Sequence, residues 1–289
     1  MGLAPPSPHN PWSTEPTPAI DRLLGGPLTA DSVQRREGLL LAALDATLGV
    51  EGLPQSATGQ ASLFTGRNGA RRLGRHQTGL PGPRMRELVV EHGLLGRAVA
   101  AGASVTFANA YSRGYLDDLA TGKAKPSVTT IAARAAGLEL RTLEDLVRGA
   151  AVTWDLCRDL AGRRAAVELA AIEPAAAGRH LDAVSRDHDL TIFETFGTDL
   201  AGNLKRGVEP AEAVRRIDRL VDGIERARDP GLTWLLTSDH GNLEDVSVRG
   251  HTRNPVPLLA VGPAAGSFAS ARSILDVADL VLTVLSPGA

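Results

Sequence analysis

The chain has one cysteine, few aromatic residues and no long apolar run, and these shortages exclude several classes of protein. Cys157 is the single cysteine in 289 residues, so neither an intramolecular disulfide nor a thiolate zinc site is available. No stretch approaches the ~20 apolar residues of a membrane-spanning helix. The proline-rich start also lacks the charged and apolar regions of a secretory signal. We therefore expect a cytoplasmic protein that does not enter a membrane.

The chain also lacks an excess of basic charge. Lys and Arg number 31 against 33 Asp and Glu, which gives a formal net charge of −2. Nucleic acids and anionic membrane surfaces attract basic proteins, so neither is the expected partner. With 43% apolar residues, a chain of this length can bury a sizeable core. The length indicates one large domain, or a core with a smaller unit.

The N-terminal two-thirds contain several segment boundaries. Six prolines fall within residues 1–19, which predicts a loop there. The apolar run 39–48 leads into a Gly- and Pro-rich turn and a short helix predicted over 61–65. Apolar spacing predicts a helix over 84–101, followed by a strand over 104–110. Residues 111–185 are mostly helical in pattern and are predicted to form a small cap or lid.

The C-terminal third alternates between strand and helix patterns. The predicted strands are 190–196, 232–238 and 256–262, and the predicted helices are 210–228 and 274–285. Such alternation indicates an α/β fold with a largely parallel sheet and helices on both faces. In such sheets ligands bind beyond the carboxyl ends of the strands, so polar residues at those ends are candidate site residues.

Polar clusters follow two of these strands. Asp239 and His240 lie side by side after the strand 232–238, and Asp199 lies after the strand 190–196. His251 precedes the strand 256–262 and can return to the same edge of the sheet. Carboxylate and imidazole ligands without thiolate favour zinc or manganese. The sequence therefore predicts a metal site at this edge.

Each of these residues also has a purely structural interpretation. An Asp-His pair such as Asp239-His240 can cap a loop, Asp199 can cap the start of a helix, and Ser56 can be an ordinary turn residue. The metal interpretation rests on the combination of three strand ends rather than on any one residue.

Four sequence features together resemble the alkaline phosphatase superfamily of metalloenzymes. They are SDHGN (238–242), HTRNPVP (251–257), TDLAG (198–202), and a serine, Ser56, nine residues before Thr65-Gly66. The branch they resemble is that of the cofactor-independent phosphoglycerate mutases and phosphopentomutases, and within it a group of bacterial metalloenzyme-domain proteins. The resemblance implies a three-layer α/β core, with a mostly parallel sheet and helices on both faces, over residues 1–110 and 186–289. A small, mostly helical cap would span residues 111–185.

The resemblance also implies a site and an activity. In the family, two divalent metal ions, zinc or manganese, stand beside a nucleophilic serine. One ion would be held at the positions of Asp199, Asn203 and His251, and the other by Ser56, Asp239 and His240. Ser56, rather than Thr58 or Ser62, would attack the phosphorus of a small phosphorylated substrate. The activity implied is that of a phosphatase or a phosphomutase, and the short middle segment favours hydrolysis.

The chain departs from the family pattern in two places. Asn203 stands where the family has a histidine, and an amide oxygen is a poorer ligand for zinc or manganese than an imidazole. The family's first strand ends in Asp-Gly, whereas Met1-Gly2-Leu3 stand where that strand is already complete. The alternative function is therefore a catalytically weakened or truncated homologue that retains partial metal binding. Strong metal binding in spite of these changes would point to other ligands, such as His180 or His188.

Overall fold

A computed structural model describes residues 1–165, 168–203 and 208–286. The strands of this part of the chain are β1 (Gln34–Arg36), β2 (Leu39–Leu44), β3 (Val105–Phe107), β4 (Leu190–Ile192), β5 (Trp234–Thr237) and β6 (Val256–Val261). The helices are α1 (Pro11–Thr14), α2 (Pro18–Leu24), α3 (Ser56–Thr65), α4 (Gly69–Leu73), α5 (Pro83–His92), α6 (Leu94–Ala100), α7 (Arg113–Ala120), α8 (Val128–Ala135), α9 (Leu143–Val147), α10 (Asp159–Ala165), α11 (Pro174–Ser185), α12 (Gly197–Gly202), α13 (Pro210–Ala227) and α14 (Asp276–Leu285).

The larger sheet has four strands in the order β1-β2-β6-β5, and all its neighbours are antiparallel. The prediction of a mostly parallel sheet is therefore wrong for this sheet. A parallel pair needs a crossover connection, usually a helix, whereas β5 and β6 are joined by the segment 238–255, which has no helix. Leu39 pairs with Val261 and Leu44 with Val256, so β2 and β6 align along their full lengths.

A second sheet contains β3 and β4, which are parallel. Val105 pairs with Leu190, and Phe107 pairs with Ile192. The helices α7 to α11 lie between these two strands in sequence, which supplies the crossover that parallel pairing requires.

Helices cover both faces of the larger sheet. Because side chains alternate along a strand, Leu39 and Leu41 pack in one apolar cluster with residues of α2 and α13, while Leu40 and Ala42 pack in another with residues of α14. The predicted placement of helices on both faces is thus present, and β2 and β6 are buried in the middle layer. The wholly apolar sequences of these two strands fit that position.

Two local predictions are corrected. The proline-rich start is not a loop throughout, because α1 and α2 each begin with a proline, Pro11 and Pro18. Proline is tolerated at the first helical position, where the missing N–H would have had no intrahelical partner. The predicted helix 84–101 is two helices, α5 and α6, separated by Gly93 in an extended conformation. The division into a core and a cap at 111–185 stays a prediction.

Among the described residues, no helix is long and apolar enough to cross a membrane.

Candidate metal site

The candidate site lies where the carboxyl ends of three strands meet the start of a fourth. Ser56 begins α3 after β2, Asp199 lies in the first turn of α12 after β4, and Asp239 and His240 follow β5. His251 precedes β6. Since β6 runs antiparallel to both β2 and β5, its amino end lies at the edge where those two strands end. The fold therefore brings residues from distant parts of the sequence to one place.

Three ligand atoms converge there. One carboxylate oxygen of Asp199, Oδ1, lies 3.3 Å from Nε2 of His251 and 4.0 Å from Nε2 of His240. The two imidazole rings stack with their centroids 3.7 Å apart. Ligand atoms of these three residues all lie within 4.8 Å of one another, which is close enough to share one cation.

The backbone orients both imidazoles. His251 Nδ1 lies 2.6 Å from the carbonyl oxygen of Pro54, and His240 Nδ1 lies 3.3 Å from that of Gly241. A carbonyl only accepts, so each Nδ1 is the donor, and in the neutral ring each Nε2 then keeps its lone pair. A hydrogen bond of this kind on the second nitrogen is how metal-ligating histidines are held in orientation.

Ser56 reaches the same cluster. Its hydroxyl oxygen lies 3.1 Å from Nε2 of His240. The two other hydroxyls considered as nucleophiles hold structural hydrogen bonds instead. Thr58 Oγ1 donates to the Gln55 carbonyl and accepts from the Gln77 N–H, and the Ser62 hydroxyl accepts from the Gly69 N–H.

The two remaining predicted ligands, Asp239 and Asn203, lie beside the cluster and make different contacts. Asp239 Oδ2 lies 3.5 Å from His240 Nε2, and this buried oxygen accepts no hydrogen bond from any described residue. Asn203 donates its amide to Asp199 Oδ1 at 2.9 Å, as Asn242 does at 2.8 Å. The side chain of Asn203 thus holds the central carboxylate in place.

The charges of the cluster shift its pKa values. Burial acts to raise the pKa of Asp199, but the hydrogen bond that the protonated His251 ring donates and the charge of the two nearby imidazoles outweigh it and bring the pKa to about 2. Burial lowers the pKa of His240. Burial also acts to lower the pKa of His251, yet its contacts with Asp199 and the Pro54 carbonyl leave the pKa above the usual value. A carboxylate and a neutral His240 are therefore ready to bind a cation near neutral pH.

Two glycines allow the elements of the site to approach closely. A Cβ added to Gly59, in the first turns of α3, would lie 2.6 Å from the backbone oxygen of Asp239. A Cβ on Gly202, at the end of α12, would overlap the amide of Asn242. Any larger residue at either position would push Ser56 or Asp199 away from the histidines.

Sequence reasoning missed Glu194, which follows β4. Its carboxylate accepts hydrogen bonds from Gln60 Nε2 at 3.0 Å and from Thr129 Oγ1 at 2.6 Å. Burial, offset in part by the Thr129 hydrogen bond and reinforced by the charge of Asp239, raises its pKa to about 7. The sequence feature that could have identified Glu194 is an acidic residue at the carboxyl end of an apolar strand, where ligands bind in such sheets.

Sequence reasoning also missed Glu244, a buried acid that ties together the loop carrying the histidines. Its carboxylate accepts from the backbone N–H groups of Gly2 and Asn242 and from the side chains of Thr252 and Asn254. The residue is 1% exposed. Three of these donors, on Asn242, Thr252 and Asn254, belong to the two ends of the segment 241–254, so Glu244 fixes the path of the chain between His240 and His251.

We expect Glu244→Ala to lower the free energy of unfolding by about 3 kcal/mol, because several buried donors lose their acceptor at once. Urea unfolding followed by circular dichroism measures the loss. The exposed Glu91 provides a control, since Glu91→Ala should change stability by less than about 0.5 kcal/mol. A loss below about 1 kcal/mol for Glu244→Ala would show that the loop is held in another way.

Residues 172–286 match the family model described as the Metalloenzyme superfamily. This stretch includes Asp199, Asn203, Asp239, His240 and His251, while Ser56 lies outside it.

Among the relatives of the chain are several 2,3-bisphosphoglycerate-independent phosphoglycerate mutases. The protein from Halobacterium salinarum is 34% identical over 125 residues, and the protein from Ruegeria pomeroyi is 30% identical over 123 residues. Each match covers 39% of this chain and 24% of the relative. The chain therefore spans about a quarter of the length of the relatives it matches.

Two solved structures share the fold over nearly the whole chain. The PH0037 protein from Pyrococcus horikoshii has a TM-score of 0.56 and 15% identity, covering 98% of this chain and 94% of its own. A cold-active alkaline phosphatase from the psychrophile Shewanella sp. has a TM-score of 0.53 and 13% identity, covering 99% and 100%. These likenesses show the fold alone. With the family match, they confirm the predicted resemblance to the alkaline phosphatase superfamily.

Proposed function

We propose that the chain is a metal-dependent phosphoryl-transfer enzyme that hydrolyses a small phosphorylated metabolite with Ser56 as the nucleophile. One observation carries this proposal. Ligand atoms of Asp199, His240 and His251 converge within 4.8 Å of one another, and the Ser56 hydroxyl lies 3.1 Å from one of them. Two observations bear on the kind of phosphoryl transfer. The similarity to phosphoglycerate mutases favours a phosphomutase, whereas the short middle segment, 111–185, favours a hydrolase.

The residues present fit divalent cations. A carboxylate and two imidazoles form a donor set that suits zinc or manganese, and the buried Oδ2 of Asp239, without a hydrogen-bond donor among the described residues, offers a further oxygen. The convergence favours one ion held by Asp199, His240 and His251. The family pattern instead divides the ligands between one ion at Asp199, Asn203 and His251 and a second at Ser56, Asp239 and His240. The ions would supply the positive charge that lowers the cost of serine deprotonation and stabilises phosphoryl transfer.

The side chains of the site have distinct tasks. Ser56 Oγ forms the new O–P bond as the bond to the leaving oxygen breaks, and water then releases phosphate from the phosphoserine. Ser56 also begins α3, and the amino end of a helix favours a phosphate, although the N–H of Ala57 already donates to the Gln77 carbonyl. Asn203 and Asn242 hold the Asp199 carboxylate, and the Pro54 carbonyl orients His251.

The test is hydrolysis of p-nitrophenyl phosphate by the chain loaded with Zn²⁺ or Mn²⁺, with a chelated sample as control. We expect hydrolysis that depends on the cation and is lost on chelation. Interconversion of 2- and 3-phosphoglycerate without phosphate release, followed by ³¹P NMR, would indicate a mutase instead. Cation binding without either reaction would support the alternative function, a catalytically weakened homologue. Asn203 favours this alternative, because its amide donates a hydrogen bond to Asp199 and is a poorer metal ligand than an imidazole.

We expect Asn203→His to tighten cation binding by roughly tenfold, because an imidazole is a better ligand than an amide for zinc or manganese. Isothermal titration calorimetry with Zn²⁺ measures the change. Asn203→Leu is the matched control and should weaken binding, since Asp199 loses one of its two amide donors. Unchanged or weaker binding in Asn203→His would show that position 203 does not face the cation.

A further inference from the structure

Glu194 is a carboxyl group beside the candidate site that the proposed reaction has not yet used. It lines the same cavity, of about 450 Å³, as Ser56, Asp199 and Asp239. It belongs to the segment between β4 and α12 that leads to Asp199. A carboxyl group that shares a cavity with a nucleophile is a candidate general acid or general base.

Gln60 fixes the position of Glu194 relative to Ser56. The Gln60 side-chain amide donates to Glu194 Oε1 at 3.0 Å, and Gln60 lies on α3, the helix that Ser56 begins. These two residues of α3 are four positions apart, so they share one face of the helix with Cβ atoms about 5 to 6 Å apart. In an in-line displacement, the leaving oxygen departs on the side of phosphorus opposite the attacking oxygen. An acid one helical turn from the nucleophile is therefore placed to reach the leaving oxygen rather than Ser56 Oγ.

The hydrogen bonds of Glu194 suit a group that gains and loses a proton. An amide N–H only donates, so Oε1 is an acceptor, and a proton on this carboxyl group belongs on Oε2. Oε2 lies 2.6 Å from Thr129 Oγ1, which in turn lies 2.9 Å from the Ser127 hydroxyl. A hydroxyl both donates and accepts. Thr129 can therefore donate to the carboxylate and, after rotation of its hydroxyl toward Ser127, accept from the acid.

The surroundings of Glu194 favour its protonated form. Burial is the largest cause that raises its pKa to about 7, and the negative charge of Asp239 acts in the same direction. The hydrogen bond from Thr129 acts the other way and is outweighed. Near neutral pH a large share of the molecules therefore has a proton on Glu194, which an acid catalyst needs.

We propose that Glu194 is the general acid of the reaction and donates its proton to the leaving oxygen. This proposal rests on the proposed function. In the first step the deprotonated Ser56 oxygen forms a bond to phosphorus, the bond from phosphorus to the leaving oxygen breaks, and the Glu194 proton completes the alcohol. In the second step water takes the place of the alcohol and gives a proton to the Glu194 carboxylate. The water oxygen bonds to phosphorus as the Ser56 O–P bond breaks, so both residues return to their starting forms.

An acid of this kind points to a substrate class. An aliphatic alkoxide is a strong base and leaves readily only when it receives a proton, whereas p-nitrophenolate leaves without one. The carboxyl group would therefore be of use with a phosphate ester of an aliphatic alcohol, such as a phosphorylated polyol or sugar. An aryl phosphate would gain little from it.

The test compares two substrates in Glu194→Gln, with Zn²⁺ or Mn²⁺ present. The new amide can still accept from Gln60 and donate to Thr129, but it has no acidic proton. We expect kcat/KM for glycerol 2-phosphate to fall about 100-fold or more, and kcat/KM for p-nitrophenyl phosphate to stay within about threefold. This ratio covers the steps up to release of the alcohol, so the second step does not affect it. Circular dichroism checks the fold.

Glu244→Gln is the matched control, because Glu244 is a buried acid near the site that does not line the cavity. It should lower kcat/KM for both substrates by the same factor. Equal losses for both substrates in Glu194→Gln would overturn the proposal, since a structural role affects both alike. Unchanged hydrolysis of glycerol 2-phosphate in Glu194→Gln, or a Glu244→Gln variant that loses this substrate selectively, would also overturn it. If the unaltered chain hydrolyses neither substrate, the proposed function fails and this proposal fails with it.

Discussion

Ser56→Ala is expected to lower cation-dependent hydrolysis of p-nitrophenyl phosphate by at least ~10³-fold, because no oxygen remains to attack phosphorus. The fold should persist, since Ser56 Oγ makes its one described hydrogen bond to His240 and not to the backbone of α3. Steady-state kinetics with Zn²⁺ or Mn²⁺ measure the loss, and circular dichroism checks the fold.

Thr58→Val is the matched control for this variant, two residues further along the same helix. It removes the hydroxyl that bridges Gln55 and Gln77, so it should cost stability while leaving the rate within a few-fold of the original. If Ser56→Ala keeps more than about a tenth of the original rate, the nucleophile is another group. If Thr58→Val abolishes the rate while the fold persists, the nucleophile is Thr58.

Asp199→Ala is expected to weaken cation binding by about 100-fold or more, because its Oδ1 is the atom on which both histidines converge. Calorimetric titration with Zn²⁺ measures the affinity. Asp187→Ala, at an exposed position in the same part of the chain, should leave the affinity unchanged. An equal affinity in the two variants would place the cation elsewhere, for example at His180 or His188.

The same titration has an expected pH dependence. Contact with Asp199 raises the pKa of His251, so a proton competes with the cation for Nε2 as the pH falls through that pKa. Affinity should therefore decrease toward acidic pH. In Asp199→Ala the pKa of His251 should fall, which moves this decrease to lower pH.

The sequence predicted the position of most elements but not the pairing of the strands. Strands were expected over 190–196, 232–238 and 256–262, and β4, β5 and β6 lie within these ranges. The spacing of apolar residues along a strand indicates which of its faces are buried. A strand buried on both faces has the same apolar pattern in a parallel sheet as in an antiparallel one. The apolar pattern alone therefore could not exclude a mostly parallel sheet.

The start of α3 shows why local sequence patterns do not predict the structure of the site itself. The sequence predicted a helix only from residue 61, whereas α3 begins at Ser56. Thr58 and Gly59 have low helix propensity, yet Gly59 is required by the contact with Asp239. Tertiary packing thus overrides propensity where the nucleophile is placed. The role of Asn203 as a donor to Asp199 depends likewise on distances that no pattern encodes.

The pairing of β2 with β6 has a consequence for synthesis of the chain. The partners lie about 200 residues apart, and at ribosomal rates of about 5 to 20 residues per second β2 waits roughly 10 to 40 s for β6. During that time the run LLLAAL (39–44) is exposed as an uncharged, wholly apolar strand, a pattern prone to aggregation. The nascent protein should therefore depend on chaperones. Yield in a cell should rise when translation is slowed or chaperones are co-expressed.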